Sequence, residues 1–153
     1  MNLVHLHLLM NHLPVLGVPF GLILLCAGML RRSDELKKAA LLVFVVASLL
    51  LVPVYFTGEP AEEGVENLPG VTETYIERHE DLALFSLISA ALLGVISLVG
   101  LGALVRGHKS LSAPTLPLVL TLAVISTLSL GLTASAGGEI RHTEIRQSAR
   151  IEP

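Results

Sequence analysis

The stretch Leu82–Val105, L-A-L-F-S-L-I-S-A-A-L-L-G-V-I-S-L-V-G-L-G-A-L-V, contains no charged residue. A bilayer core needs about 20 apolar residues of helix, and this run is long enough to cross it. Three further uncharged runs flank it: Leu13–Leu30, Ala39–Phe56 and Leu116–Ala136. Inside lipid every backbone N–H and C=O must be satisfied within the span, so helices are expected. The alternating pattern of a membrane β-barrel is missing. The fold class is therefore all-α, an integral membrane four-helix bundle. It forms one domain over residues 1–153, with an acidic loop at 57–81.

Composition agrees. Of 153 residues, 52% are hydrophobic and 15% charged, with a mean hydropathy of +0.73. A soluble domain carries about 25% charge. The single cysteine, Cys26, lies in an apolar run. It makes no internal disulfide and offers no thiolate cluster. C-x-x-C-H is absent, so covalent haem attachment of the usual kind is excluded. A net charge of −3 gives no reason to expect nucleic acid. The N-terminus lacks the basic start of a secretory signal, and its apolar run continues into R-R-S, so it is expected to be a retained span.

Basic residues set orientation. Arg31, Arg32, Lys37 and Lys38 lie between the first two spans, and Arg106 and Lys109 between the last two. The loop between spans two and three has only Arg78, beside Glu59, Glu62, Glu63, Glu66, Glu73, Glu77, Glu80 and Asp81. Both termini and the acidic loop are thus expected outside, in the periplasm of a bacterial inner membrane. Arg141, Arg146 and Arg150 weakly oppose this.

Small residues recur at four-residue spacing: Gly17 and Gly21; Ser86, Ala90 and Gly94; Thr127, Gly131 and Ser135. Such stripes let helices approach closely in lipid, although glycine is also simply common there.

Five of the six histidines fall at the expected outer end: His5, His7, His12, His79 and His142. Only His108 lies at the other. His5 and His12, seven apart, share a face if the first helix starts early, and His7 then points elsewhere. Pro14 instead favours a regular helix from near Leu13, leaving His5 and His7 in a preceding segment. Thr72 is positioned to cap a helix that carries His79 into the third span. Gly58 can end span two and Pro60 can start a short lid helix.

Two imidazoles from different helices can hold a b-type haem, and His12 with His79 satisfies that requirement. Arg78 or Arg141 can pair with its propionates, and Met10 is a weaker substitute ligand. A rival site of His12, His79, Glu59 and Glu63 would bind zinc, copper or iron, although no H-E-x-x-H motif is present. A quinone site using His and Glu as proton relays is a third reading. Against all three stands the plain one, in which interfacial histidines sit among headgroups and cap helices.

The chain resembles a widespread family of small bacterial four-helix membrane proteins classed as a domain of unknown function. The resemblance rests on His7 and His12 five apart, with H-L-P in place of H-F-P. It also rests on Thr57-Gly58 after span two, His79 at the head of span three, and G-G-E-I-R-H at Gly137–His142. The family's aspartate after span two is replaced by G-E-P-A-E-E, and the tail past His142 lacks a glycine-rich ending. The resemblance implies the four-helix fold and singles out His7, His12, His79 and His142. The function expected is electron transfer by a small haem-binding subunit, alongside other membrane redox subunits or a periplasmic electron carrier. A non-catalytic structural or assembly subunit is the alternative.

Overall fold

A computed structural model describes residues 3–146, without side-chain positions for 109–113; Arg150 lies outside the described residues. Among the described residues six helices follow one another: α1 (Leu3–Met10), α2 (His12–Leu30), α3 (Asp34–Phe56), α4 (Gly58–Glu63), α5 (Glu73–Val105) and α6 (Lys109–Arg141). A 3₁₀ turn, Thr143–Ile145, follows α6. There is no strand among the described residues. Four helical stretches are long and apolar enough to cross a bilayer: α1 with α2, α3, α5, and α6 from Pro114. The protein is an all-α, multi-pass membrane four-helix bundle.

The helices outrun the expected spans because an uncharged run marks only the lipid-buried part. Polar turns continue the helix at both ends. α5 begins at Glu73, ahead of its uncharged run as expected, and α6 reaches Arg141. Thr72 does stand at the N-cap of α5, but its hydroxyl makes no capping bond. The first helix starts at Leu3, well before Pro14. Proline has no N–H to give the carbonyl four residues back, so it interrupts the ladder without ending the helix. The backbone recovers at once: Asn11 N–H bonds His7 O at 3.0 Å and Val15 N–H bonds Asn11 O at 3.4 Å.

α2 packs on α3, α3 on α5 and α5 on α6, and α6 closes the ring against α2. The core runs through Val18, Leu25, Leu41, Phe44, Leu93 and Val119, all fully buried. Large apolar side chains such as Leu16, Ile23, Leu49, Leu98 and Leu128 point outward. Water would not tolerate so much contiguous apolar surface, and lipid does.

Two tight turns close the basic end. Ser33 N–H reaches Gly28 O, and His108 N–H reaches Ala103 O, both at 2.9 Å. Each turn needs a left-handed residue, supplied by Arg32 (φ 52°) and Gly107 (φ 71°). Ser33 then caps α3 by accepting from Leu36 N–H at 3.4 Å. α1 and α4 pack together at the opposite, acidic end.

The expected small-residue stripes are half right. Gly21 is buried on α2, and Ser86, Ala90 and Gly94 are buried on α5. On α6, however, Gly131 and Ser135 are exposed, and the buried positions among those described are Val119, Ala123, Ser126, Ser129, Leu130 and Ala136. Both stripes of α6 contain small residues, so size alone does not choose between them.

Candidate histidine site

The early helix start decides which histidines turn inward. His5 and His12 are seven apart on one helix face, and both are exposed. His7 is half-buried, with Nδ1 3.0 Å from Val54 O and 3.2 Å from Thr57 Oγ1. Val54 O is one of the orphan carbonyls in the last turn of α3. A carbonyl only accepts, so His7 Nδ1 carries the proton. Thr57 Oγ1 donates to the same region, at 2.9 Å from Val54 O and 3.0 Å from Pro53 O.

His79 is set the same way from α5. Its Nδ1–H donates to Thr133 O on α6 at 3.0 Å, and its ring lies on Gly137. A Cβ there would come within 3.0 Å of His79 Cε1 and 3.1 Å of Nδ1. Gly137 of the double glycine thus has a physical role, since it leaves room for an imidazole against the α6 backbone. Gly137→Val should expel the ring from Thr133. Imidazole ¹⁵N shifts would report loss of the fixed tautomer, and an unchanged spectrum would refute the packing.

His7 and His79 lie within electrostatic reach of each other. They come from different helices, each with its tautomer fixed by a backbone carbonyl and each keeping Nε2 for another partner. His12 does not share this inward setting. His12 Nδ1–H turns back to Leu8 O at 2.8 Å, on the exposed side. His142 is also exposed and pairs with Glu144 at 2.9 Å. Glu59 and Glu63 are exposed, and no group of three His, Cys, Asp or Glu gathers as a metal site among the described residues. Met10 packs against the core. Arg78 is held by Glu139 at 2.7 Å, whereas Arg141 is exposed.

Below His79 a seam of hydroxyls runs into the bundle between α5 and α6. Thr133 Oγ1 meets Ser86 Oγ at 2.9 Å and donates to Ser129 O at 2.9 Å. Ser89 Oγ lies 3.3 Å from both Ser129 Oγ and Ser126 Oγ. Ser86, Ser89, Ser126 and Ser129 are all buried. Sequence reading missed this seam because it counted serine as a small residue rather than a polar one. The signal was present in the recurrence of serine on the inward faces of both helices.

Helix α4 carries a strongly perturbed carboxyl. Burial first, then the adjoining Glu80 carboxyl of α5, raise Glu62 to about 7, with Glu66 and Glu59 adding repulsion. The ordinary value is 4.5. A carboxyl raised in the docked state favours docking fully below 4.5, and that support is lost as pH rises through 7. Amide exchange in Gly58–Glu63, corrected for intrinsic rates, should therefore be slower at pH 5.5 than at pH 8. Glu62→Gln should make protection independent of pH, and an unchanged pH dependence in that variant would refute the Glu62–Glu80 contact.

No family model matches the chain, and neither a curated protein nor a solved structure does.

Proposed function

We propose that the chain is a small subunit of a bacterial inner-membrane redox complex, holding a b-type haem between His7 and His79 at its acidic end. One observation carries this reading: two imidazoles from α1 and α5, each anchored through Nδ1–H to a carbonyl of another helix. Ligating histidines commonly donate their other N–H in this way, which orients the ring and raises the basicity of Nε2. The donor count favours haem over a bare ion. Zinc or copper sites draw three or four ligands from the protein, and no such group gathers here. Haem brings four nitrogens of its own and asks the protein for two. When bound it would supply one-electron transfer. His7 and His79 would offer their Nε2 atoms, and Arg141 is an exposed cation at that end.

Electron exchange with other membrane redox subunits or a periplasmic carrier follows from the site's place near the surface. The basic end, with Arg31, Arg32, Lys37, Lys38 and Arg106, would face the cytoplasm. A Glu66→Cys label in a Cys26→Ser background should react from the periplasm, and labelling solely from the cytoplasm would overturn this orientation.

The haem reading is tested by an absorption spectrum of the purified chain after addition of haemin. A Soret band that shifts on reduction is expected. It should vanish in His7→Ala and in His79→Ala but persist in His12→Ala. If well-folded wild type takes up no haemin, the site is not a haem site, and a structural role for the subunit gains ground.

A further inference from the structure

On the outer face of α5 and α6 a polar cleft opens directly onto an apolar groove. The cleft, about 440 Å³, is walled by Thr74, Glu77, Arg78 and Asp81 above Leu82 and Leu132. The groove, about 270 Å³, begins at the same Leu82 and Leu132 and continues past Phe85, Ile125 and Leu128. Thr74, Glu77, Arg78, Asp81, Leu82 and Phe85 follow the i, i+3, i+4 spacing of one face of α5. That face changes from charged to apolar between Asp81 and Leu82, where the uncharged span begins.

We propose that this cleft and groove form a binding site for a bilayer phospholipid whose headgroup ends in a primary ammonium. The two-part shape matches a lipid's own division into a polar head and an acyl chain, at the depth where a lipid makes that change. Charge selects the head. Arg78 is largely neutralised by Glu139, 2.7 Å away, whereas Glu77 and Asp81 have no ion pair among the described residues. The cleft is therefore net acidic. A primary ammonium offers three N–H donors to these carboxylates, and a quaternary ammonium offers none. The side chain of Arg78 remains 56% exposed, leaving an outward face for the phosphate that precedes the amine. An anionic headgroup would meet the two carboxylates with no cation of its own, and a neutral quinone ring would leave both without a partner.

This site does not depend on the histidine pair, so it stands or falls separately from the haem reading. The test is native mass spectrometry of the full chain in detergent. It is titrated with phosphatidylethanolamine, phosphatidylcholine and phosphatidylglycerol of identical acyl chains. Phosphatidylethanolamine should be retained most tightly, by up to about fivefold for each carboxylate it engages. Glu77→Gln with Asp81→Asn should level the three lipids. Phe85→Ala should weaken all three alike, because it shortens the chain groove without touching the head. Equal retention by wild type, a preference for phosphatidylglycerol, or selectivity that survives the double carboxylate change would each overturn the proposal. So would displacement of bound phosphatidylethanolamine by a short-chain quinone. The substituted side chains lie on the surface, so a circular dichroism spectrum suffices to show that the variants fold.

Discussion

Gly94→Val should wedge α3 away from α5 and cost the bundle about 2 kcal/mol. A Cβ at Gly94 would sit 2.7 Å from both Cβ and Oγ of Ser48. Ser48 cannot swing aside, since Cβ is fixed by its backbone and its Oγ donates to Ala90 O at 2.6 Å. The helices themselves must separate, and the buried hydrogen bond goes with them. In lipid no hydrophobic force compensates, because acyl chains are as apolar as the side chains they replace, and close packing is what holds helices together. Unfolding in mixed detergent micelles would measure the loss. Ser48→Gly removes the obstructing atoms and should largely rescue Gly94→Ala in a double-mutant cycle. Gly131→Ala is the control: nothing lies within 4 Å of that position, and the change should be neutral or stabilising. A Gly94→Val protein as stable as wild type would mean that α3 and α5 do not meet here.

Phe44→Ala should be the costliest truncation, by roughly 2 kcal/mol. Phe44 is fully buried and is prominent among the largest such side chains. Its ring fills the notch at Gly21 of α2, where an added Cβ would fall 2.6 Å from Cε1. In a soluble core the same change costs about 3–5 kcal/mol, including the transfer of the ring from water. Here the unfolded helices remain in lipid, so the transfer contribution drops out and lost packing remains. Phe44→Leu should recover much of the loss, because it keeps most of the volume. Micelle unfolding midpoints that fail to separate Phe44→Ala from wild type would show that the ring does not pack at the α2–α3 crossing.

The four spans were legible because absence of charge over a bilayer's length has few other meanings. Hydropathy alone hid most of their ends, since a helix continues through polar turns, whereas Thr72 before Glu73–Asp81 did mark where α5 begins. The candidate site was legible in position and only partly in membership. His79 was found through its place at the head of a span. His12 was paired with His79 because the two stand at the heads of different spans. Once the helix begins at Leu3, five residues of rotation put His7 and His12 on different faces, and only His7 turns inward. The hydroxyl seam below His79 stayed hidden because its pairings join residues about 40 or more positions apart, which no local pattern encodes.

The two longest helices have a consequence for reach. At about 1.5 Å per residue, the 33 residues of α5 and of α6 each extend about 50 Å. The hydrocarbon layer is about 30 Å thick. The surplus is concentrated where α5 is charged, over Glu73–Asp81, and it forms a short stalk above the lipid. Arg78, His79 and the acidic cleft stand on that stalk. Groups on that stalk can therefore be reached from the water without entry into the membrane.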